Sequence, residues 1–262
     1  DPENEWMWVS NYITATCVAW IPDGNYENFE QGPALQGPGS CMDGTFANGM
    51  VYLGAWANAS VGLWDAEGAR IRNIQFPHAV YGLGADQENG WLFAMNSNNQ
   101  NIHVYLFDED GGFGDQIGII DGAQHRQFHN NYASYGLEWV GEHADIGQLW
   151  MNDGPNNRVH QILVDTDEWD AVEEIQSFPA GNIANQYGAA AHDGVNLWES
   201  GYGAANVRIY DDGVSEMSWF TFMPEEGSVG GGAESDITVI FNAKGIGDAV
   251  LTGDLIIFSN DP

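Results

Sequence analysis

The chain has 262 residues, ordinary apolar content and abundant aromatic residues, 11 of them Trp, enough for one large domain or two smaller ones and too rich in core formers for disorder. Its charge is extreme, with 38 acidic residues against 6 Lys and Arg and a formal net charge of −32. That excludes nucleic acid, whose phosphates need clustered cations, and it disfavours an anionic membrane surface; no stretch is long and apolar enough to span a membrane.

Helical periodicity is nearly absent, and Gly, Asn, Asp and Pro break the chain about every 8 to 12 residues, which is the spacing of an all-β protein. Five units succeed one another along the chain. The first, residues 5–33, carries expected strands at 6–11 and 16–21. The second, residues 39–79, carries strands at 50–56, 61–65 and 71–76. The third opens at Tyr81, with strands at 91–96, 102–108 and 116–120. The fourth opens at Tyr135, with strands at 148–152, 158–165 and 172–178. The fifth opens at Tyr187, with strands at 196–200, 206–210 and 217–222.

The repeat is marked by Tyr81-Gly82-Leu83, Tyr135-Gly136-Leu137 and Tyr187-Gly188-Ala189, spaced 54 and 52 residues apart. Each copy leads through a Gly/Asp turn into an aromatic strand, then into a second alternating strand and an acidic turn such as Asp65-Ala66-Glu67-Gly68 or Asp211-Asp212-Gly213. Short strands repeating at this period are the pattern of β-propeller blades. The first unit lacks the leading Tyr-Gly strand, so either another segment supplies that strand or further blades precede it. Trp64, Trp91, Trp150 and Trp198 are expected between the sheets.

The excess of carboxylates admits two readings. One is general solvation in salty surroundings, where counter-ions screen self-repulsion. The other is specific binding of a cation, with Ca²⁺ the natural partner of oxygen-rich loops. The best such loop is 108–115, where Asp108, Asp110 and Asp115 surround three glycines; the bland alternative is a solvated turn. His125, His129 and His143 are a weaker metal set, since no helix is expected to bring the first two together. Cys17 and Cys41 stand alone in an acidic, Gly- and Asn-rich chain, which suggests secretion and a disulfide between them, or else two separate buried thiols. The opening Asp1-Pro2-Glu3 reads as a piece of something longer.

From residue 218 the pattern changes. Trp219, Pro224, Gly227, Val229, the run 236–242, Thr252-Gly253 and the closing Ser259, Asn260, Asp261 and Pro262 succeed one another at fixed spacing. This stretch of about 45 residues resembles the Ig-like β-sandwich modules of bacterial secreted and surface proteins. The resemblance implies an extracellular or cell-surface location. It also implies a module that ends one strand early, because such modules normally continue past Asn-Asp-Pro. An open sheet edge seeks a strand, and Asp1, Pro2 and Glu3 resemble the residues with which such modules continue after the positions of Asn260, Asp261 and Pro262. One copy is therefore expected to complete the next, head to tail, unless the end is simply trimmed.

No nucleophile elbow, phosphate loop or distinguishable catalytic carboxylate pair occurs. The expectation is an all-β chain: a β-propeller of five repeat units over 1–217, itself complete or part of a larger ring, then an incomplete Ig-like module over 218–262. Its function is that of a secreted, non-enzymatic surface or structural protein. It works through protein–protein contacts with its own copies or other surface proteins, with Ca²⁺ as its one candidate cofactor. The alternative is an extracellular carbohydrate-binding or carbohydrate-processing propeller, with Trp56, Trp139, Trp169 and Tyr202 as the residues to stack on a glycan.

Overall fold

A computed structural model describes residues 6–23, 28–55, 58–108, 110–129, 135–144, 146–154, 156–180, 188–194, 196–201, 206–212, 220–223 and 236–241. The chain divides into two compact units, Asp1–Asp212 and Gly213–Pro262. Among the described residues no helix is long and apolar enough to cross a membrane.

The first unit is a five-bladed β-propeller. Blade one is β1 (Met7–Asn11), β2 (Thr16–Pro22) and β3 (Phe29–Gln36). Blade two is β4 (Cys41–Ala47), β5 (Met50–Ala55), β6 (Ser60–Asp65) and β7 (Arg70–Gln75). Blade three is β8 (Val80–Asp86), β9 (Trp91–Asn96), β10 (Ile102–Phe107) and β11 (Phe113–Ile120). Blade four is β12 (Leu137–Trp139), β13 (Leu149–Asp153), β14 (Arg158–Asp165) and β15 (Asp170–Pro179), and blade five is β16 (Gly188–His192), β17 (Asn196–Gly201) and β18 (Arg208–Asp211). Every blade is an antiparallel meander, each strand paired to its sequence neighbour.

The period-2 alternation of the middle strands explains why the blades stack. On β9, Leu92 and Ala94 face the core shared with blade two, while Phe93 and Met95 face the core shared with blade four. On β13, Leu149 and Met151 face blade three and Trp150 faces blade five. Among the described residues each of the four interfaces from blade one to blade five in chain order therefore has its own apolar cluster, and burying one such Leu or Phe side chain contributes about 1.5–3 kcal/mol. Trp64, Trp150 and Trp198 are buried as expected, and Trp91 packs against the core from its edge.

At the centre the innermost strands close a ring. β4 packs on β8, β8 on β12, β12 on β16, and β16 back on β4. Blade one contributes no innermost strand among the described residues, which is why β16 meets β4 directly. The Tyr-Gly repeat belongs to this ring. A Cβ on Gly136 would lie 2.6 Å from the Gly188 carbonyl oxygen, and one on Gly82 would press on Met95 and Leu137. The glycines let neighbouring innermost strands approach; Tyr81 and Tyr135 meet with ring centroids 4.9 Å apart.

Two expectations need correction. The strand expected at 217–222 as the outer strand of the fifth unit is instead β19 (Phe220–Met223), which pairs with β20 (Thr238–Phe241) in the second unit. Second, Cys17 and Cys41 form no disulfide in the structure; they are two free, buried thiols in the cluster with Leu35, Val51, Leu53 and Trp64. That apolar wall pushes both thiols up, Cys41 to about 11 and Cys17 further, and so keeps them neutral and unreactive.

Two measurements check this account. Gly136→Ala is expected to lower stability by about 1–3 kcal/mol, read from the urea midpoint, because the added methyl meets backbone that cannot move aside. A thiol reagent is expected to label neither Cys17 nor Cys41 in the folded chain and both after unfolding; titration of no thiols in denaturant would restore the disulfide.

Candidate functional site

Three buried carboxylates, one on β4, one on β12 and one on β17, lie close enough for Asp43 to act on the other two. Asp43 lies on β4 at a register irregularity between Cys41 and Gly44, a bulge that turns its side chain inward. Its Oδ2 accepts the backbone N–H of Leu83 on β8 at 3.0 Å and of Leu137 on β12 at 3.2 Å. One side chain thus ties blades two, three and four together. Glu138 lies on β12 between the buried Leu137 and Trp139, on the strand face opposite to theirs, and its Oε1 accepts the Trp139 N–H at 3.2 Å. Glu199 lies on β17, beside Leu197 and Trp198, and is 2% exposed. Neither of its carboxylate oxygens has a hydrogen-bond partner.

The electrostatics follow from burial, which is the largest influence on all three carboxyls. Burial pushes the Asp43 carboxyl up to about 8, against the pull of the Leu83, Leu137 and Gly44 N–H groups. Burial also raises Glu138 and Glu199 well above the usual carboxylate range, and the Asp43 charge adds to both shifts. Asp43 is therefore the shared neighbour of the other two. Arg208 is the cross-strand neighbour of Glu199 on β18, yet it is not among the groups that shift the Glu199 carboxyl.

A second cluster lies between blades four and five. His143, in a 3-10 turn at Gly141–His143, and His192, on β16, both approach Asp212. Their Nε2 atoms stand 3.7 and 2.8 Å from Asp212 Oδ2, and the three donor atoms lie within 4.8 Å of one another. The far sides of the rings decide what this is. The Gly194 N–H donates to His192 Nδ1 at 3.0 Å, and the Gln161 amide points at His143 Nδ1 at 3.5 Å. Gln161 is fixed in that orientation by the Gly147 carbonyl at 2.9 Å. With its Nδ1 facing a donor, His192 turns an Nε2–H toward Asp212 at 2.8 Å, while the His143 Nε2 stands 3.7 Å from the same oxygen, too far for a hydrogen bond. A metal would need those Nε2 lone pairs free and an acceptor behind each ring. The cluster is a hydrogen-bonded clamp between two blades.

The residues singled out from sequence fall differently. Asp108 accepts the backbone N–H groups of Asp110 and Gly112, and Arg72 stands 3.5 Å from Asp108 and 4.0 Å from Asp110. That guanidinium supplies the positive charge of the 108–115 turn, while Asp115 lies exposed on β11. The three do not gather about one point, since the only group of three such donors within ligand distance among the described residues is the His143 cluster. His125 is fully buried on a short helix α1 (Gly122–Arg126), with Nε2 2.7 Å from the Gln100 carbonyl; the side chain of His129 lies outside the described residues. Trp139 and Trp169, expected to meet glycans, are instead 4% and 8% exposed and packed with Trp91 and Phe93 in the core between blades three and four. Trp56, Tyr202, Asp1, Pro2, Glu3, Asn260, Asp261 and Pro262 lie outside the described residues.

The sequence reading missed Asp43, Glu138 and Glu199. The signal was present for two of them: Leu137-Glu138-Trp139 and Leu197-Trp198-Glu199 each place a carboxylate within an apolar strand.

The chain matches no protein-family model and no curated protein. Solved structures with a similar fold include the Myxococcus xanthus glutaminyl cyclase, at 13% identity and TM-score 0.52, covering 78% of this chain and 87% of that one. A functionally unknown protein from Desulfotomaculum acetoxidans is similar at 12% identity and TM-score 0.46, covering 78% of this chain and 61% of that one. The β-propeller domain of Cps50 (Swd1) from Myceliophteria thermophila is similar at 14% identity and TM-score 0.45, covering 80% of this chain and 68% of that one. At such identity these likenesses concern the fold alone.

The three buried carboxyls hold their protons to a higher pH in the folded chain than in the unfolded one. Folding therefore takes up protons between the two values, and stability falls as pH rises through that window, from 3.8 to about 8 for Asp43. In cation-free buffer the urea midpoint is expected to drop between about pH 5 and 8, and Asp43→Asn, which keeps an oxygen for the two N–H donors, is expected to flatten the drop. An unchanged slope in Asp43→Asn would assign the pH dependence to surface charge.

Proposed function

We propose that this chain is a secreted, non-enzymatic surface protein that works through protein–protein contacts, its copies joining head to tail. The propeller is the rigid body, and the unit Gly213–Pro262 is the connector. The observation that supports this most is in that second unit. There β19 and β20 form a two-stranded antiparallel ladder, and β20 is largely exposed, with Ile240 at 48% and Phe241 at 70%. Among the described residues these two strands are the whole sheet; two strands alone are marginal in water, and a strand edge carrying large apolar side chains is a template for another strand. The preceding Ile237 is exposed as well, at 38%.

The acidic surface fits the same role. Like charge keeps the propeller bodies apart in solution, so that association is confined to the connector, and it weakens as an obstacle in salt. A copy adding a strand beside β20 would cover Ile240 or Phe241 according to register, since adjacent side chains face opposite sides of a sheet.

Light scattering and electron microscopy of the full chain test the reading. The unmodified chain is expected to form oligomers that lengthen with concentration, and Phe241→Ser is expected to shorten them or leave monomers while the propeller keeps its unfolding midpoint. Monodisperse single copies of the unmodified chain at high concentration and in high salt would overturn it.

A further inference from the structure

We propose that the carboxylates Asp43, Glu138 and Glu199 bind a divalent, oxygen-seeking cation, calcium, at the centre of the propeller. The inference goes beyond the assembly reading and does not depend on it.

Three observations carry it. The first is Glu199. A carboxylate that is 2% exposed, with neither oxygen hydrogen-bonded, is an arrangement that buried charge does not tolerate alone. Its cross-strand neighbour Arg208 is not among the groups that act on its carboxyl. Such groups are otherwise paired with a cation or coordinate a metal.

The second is Asp43, which three strands fix in place. Its Oδ2 accepts two backbone N–H groups from two other blades, so that oxygen carries no proton and the side chain has one position. It is a preset anchor at the point where the innermost strands meet. The third is Glu138, which has Asp43 as its neighbour and, unlike the two residues that flank it, is only half-buried by surface area. It marks the side from which a hydrated ion can arrive.

The donor chemistry selects the ion. Carboxylate oxygens without an imidazole or thiolate suit calcium or magnesium and not zinc or copper. The three carboxylates are not drawn onto one point in the ion-free chain, since among the described residues only the His143, His192 and Asp212 atoms are that close. Binding therefore requires the side chains to converge, and Glu138 and Glu199 are long side chains with several rotatable bonds. Calcium accepts irregular oxygen sets with water completing the shell, whereas magnesium demands a near-ideal octahedron. Binding also expels the protons these groups hold, so affinity rises with pH.

Calorimetric titration of the full chain, stripped with chelator and carrying Phe241→Ser to prevent assembly, tests this. Calcium chloride is the probe, in about 0.15 M sodium chloride so that diffuse surface binding is screened. Expected is one saturable site, with a heat that differs between buffers of different ionisation enthalpy because protons are released. Glu199→Gln is expected to weaken binding by more than about tenfold, since losing even an outer-shell partner of a metal costs that much. The double variant Asp108→Asn/Asp110→Asn is expected to bind as before. Circular dichroism checks that each variant folds, and Glu138→Gln replaces Glu199→Gln if the latter does not. No saturable site in the parent chain would overturn the proposal. So would affinity unchanged in Glu199→Gln and Glu138→Gln, which would assign the ion to the surface acids, or affinity lost in the double variant alone, which would assign it to the 108–115 turn.

Discussion

One carboxylate, Asp43, ties the innermost strands together, and the geometry of the ring depends on it. The inner edge of each blade exposes backbone N–H groups that no further strand can pair, and burying them unpaired costs free energy. Asp43 answers two of these N–H groups, from Leu83 and Leu137, with one oxygen. The bulge that aims it and the glycines that let β8, β12 and β16 close in are parts of the same solution. The apolar clusters hold each blade to its neighbour, but three blades converge on this one side chain.

That solution has an electrostatic cost. Backbone N–H groups are partial charges and do not balance a whole one in a buried site, so the Asp43 carboxyl keeps its proton to about pH 8. Glu138 and Glu199 add to the strain without adding a counter-charge. Elsewhere carboxylates have side-chain partners close by. Arg72 serves the 108–115 turn, His143 and His192 serve Asp212, and His160 bridges Glu174 at 2.6 Å and Asp153 at 3.4 Å. Among the described residues no basic side chain pairs with Asp43, Glu138 or Glu199, which sets them apart from these.

Most of the fold was legible in the sequence. The Tyr-Gly repeat, the alternation within β5, β9, β13 and β17, and the acidic turns are local features with a fixed period, and they located the strands of blades two to five that carry aromatic residues. The innermost strands were harder to see. The segment Gly39-Ser40-Cys41-Met42-Asp43-Gly44 reads as a turn by composition, because a strand that must pass close to the axis is built of small residues. The sites were less legible still. With 38 acidic residues the informative carboxylates are hidden among ordinary ones, and the acidic turns draw attention because charge is dense there. Density marks solvation, whereas burial is what makes a carboxylate chemically demanding, and burial is a property of the ring. The Trp residues failed for the same reason: Trp139 and Trp169 lie next to turns, but the adjacent blades cover them.

The most direct test of the axial charge is carbon NMR of the side-chain carboxyls in a sample labelled at Asp and Glu, titrated with pH in the absence and presence of calcium. The account predicts an Asp43 resonance that titrates near pH 8 without the ion and moves to a lower pH with it, accompanied by Glu138 and Glu199. An Asp43 resonance that titrates near its ordinary value of 3.8 in both conditions would contradict it, since the axis would then hold a stable negative charge that needs no partner.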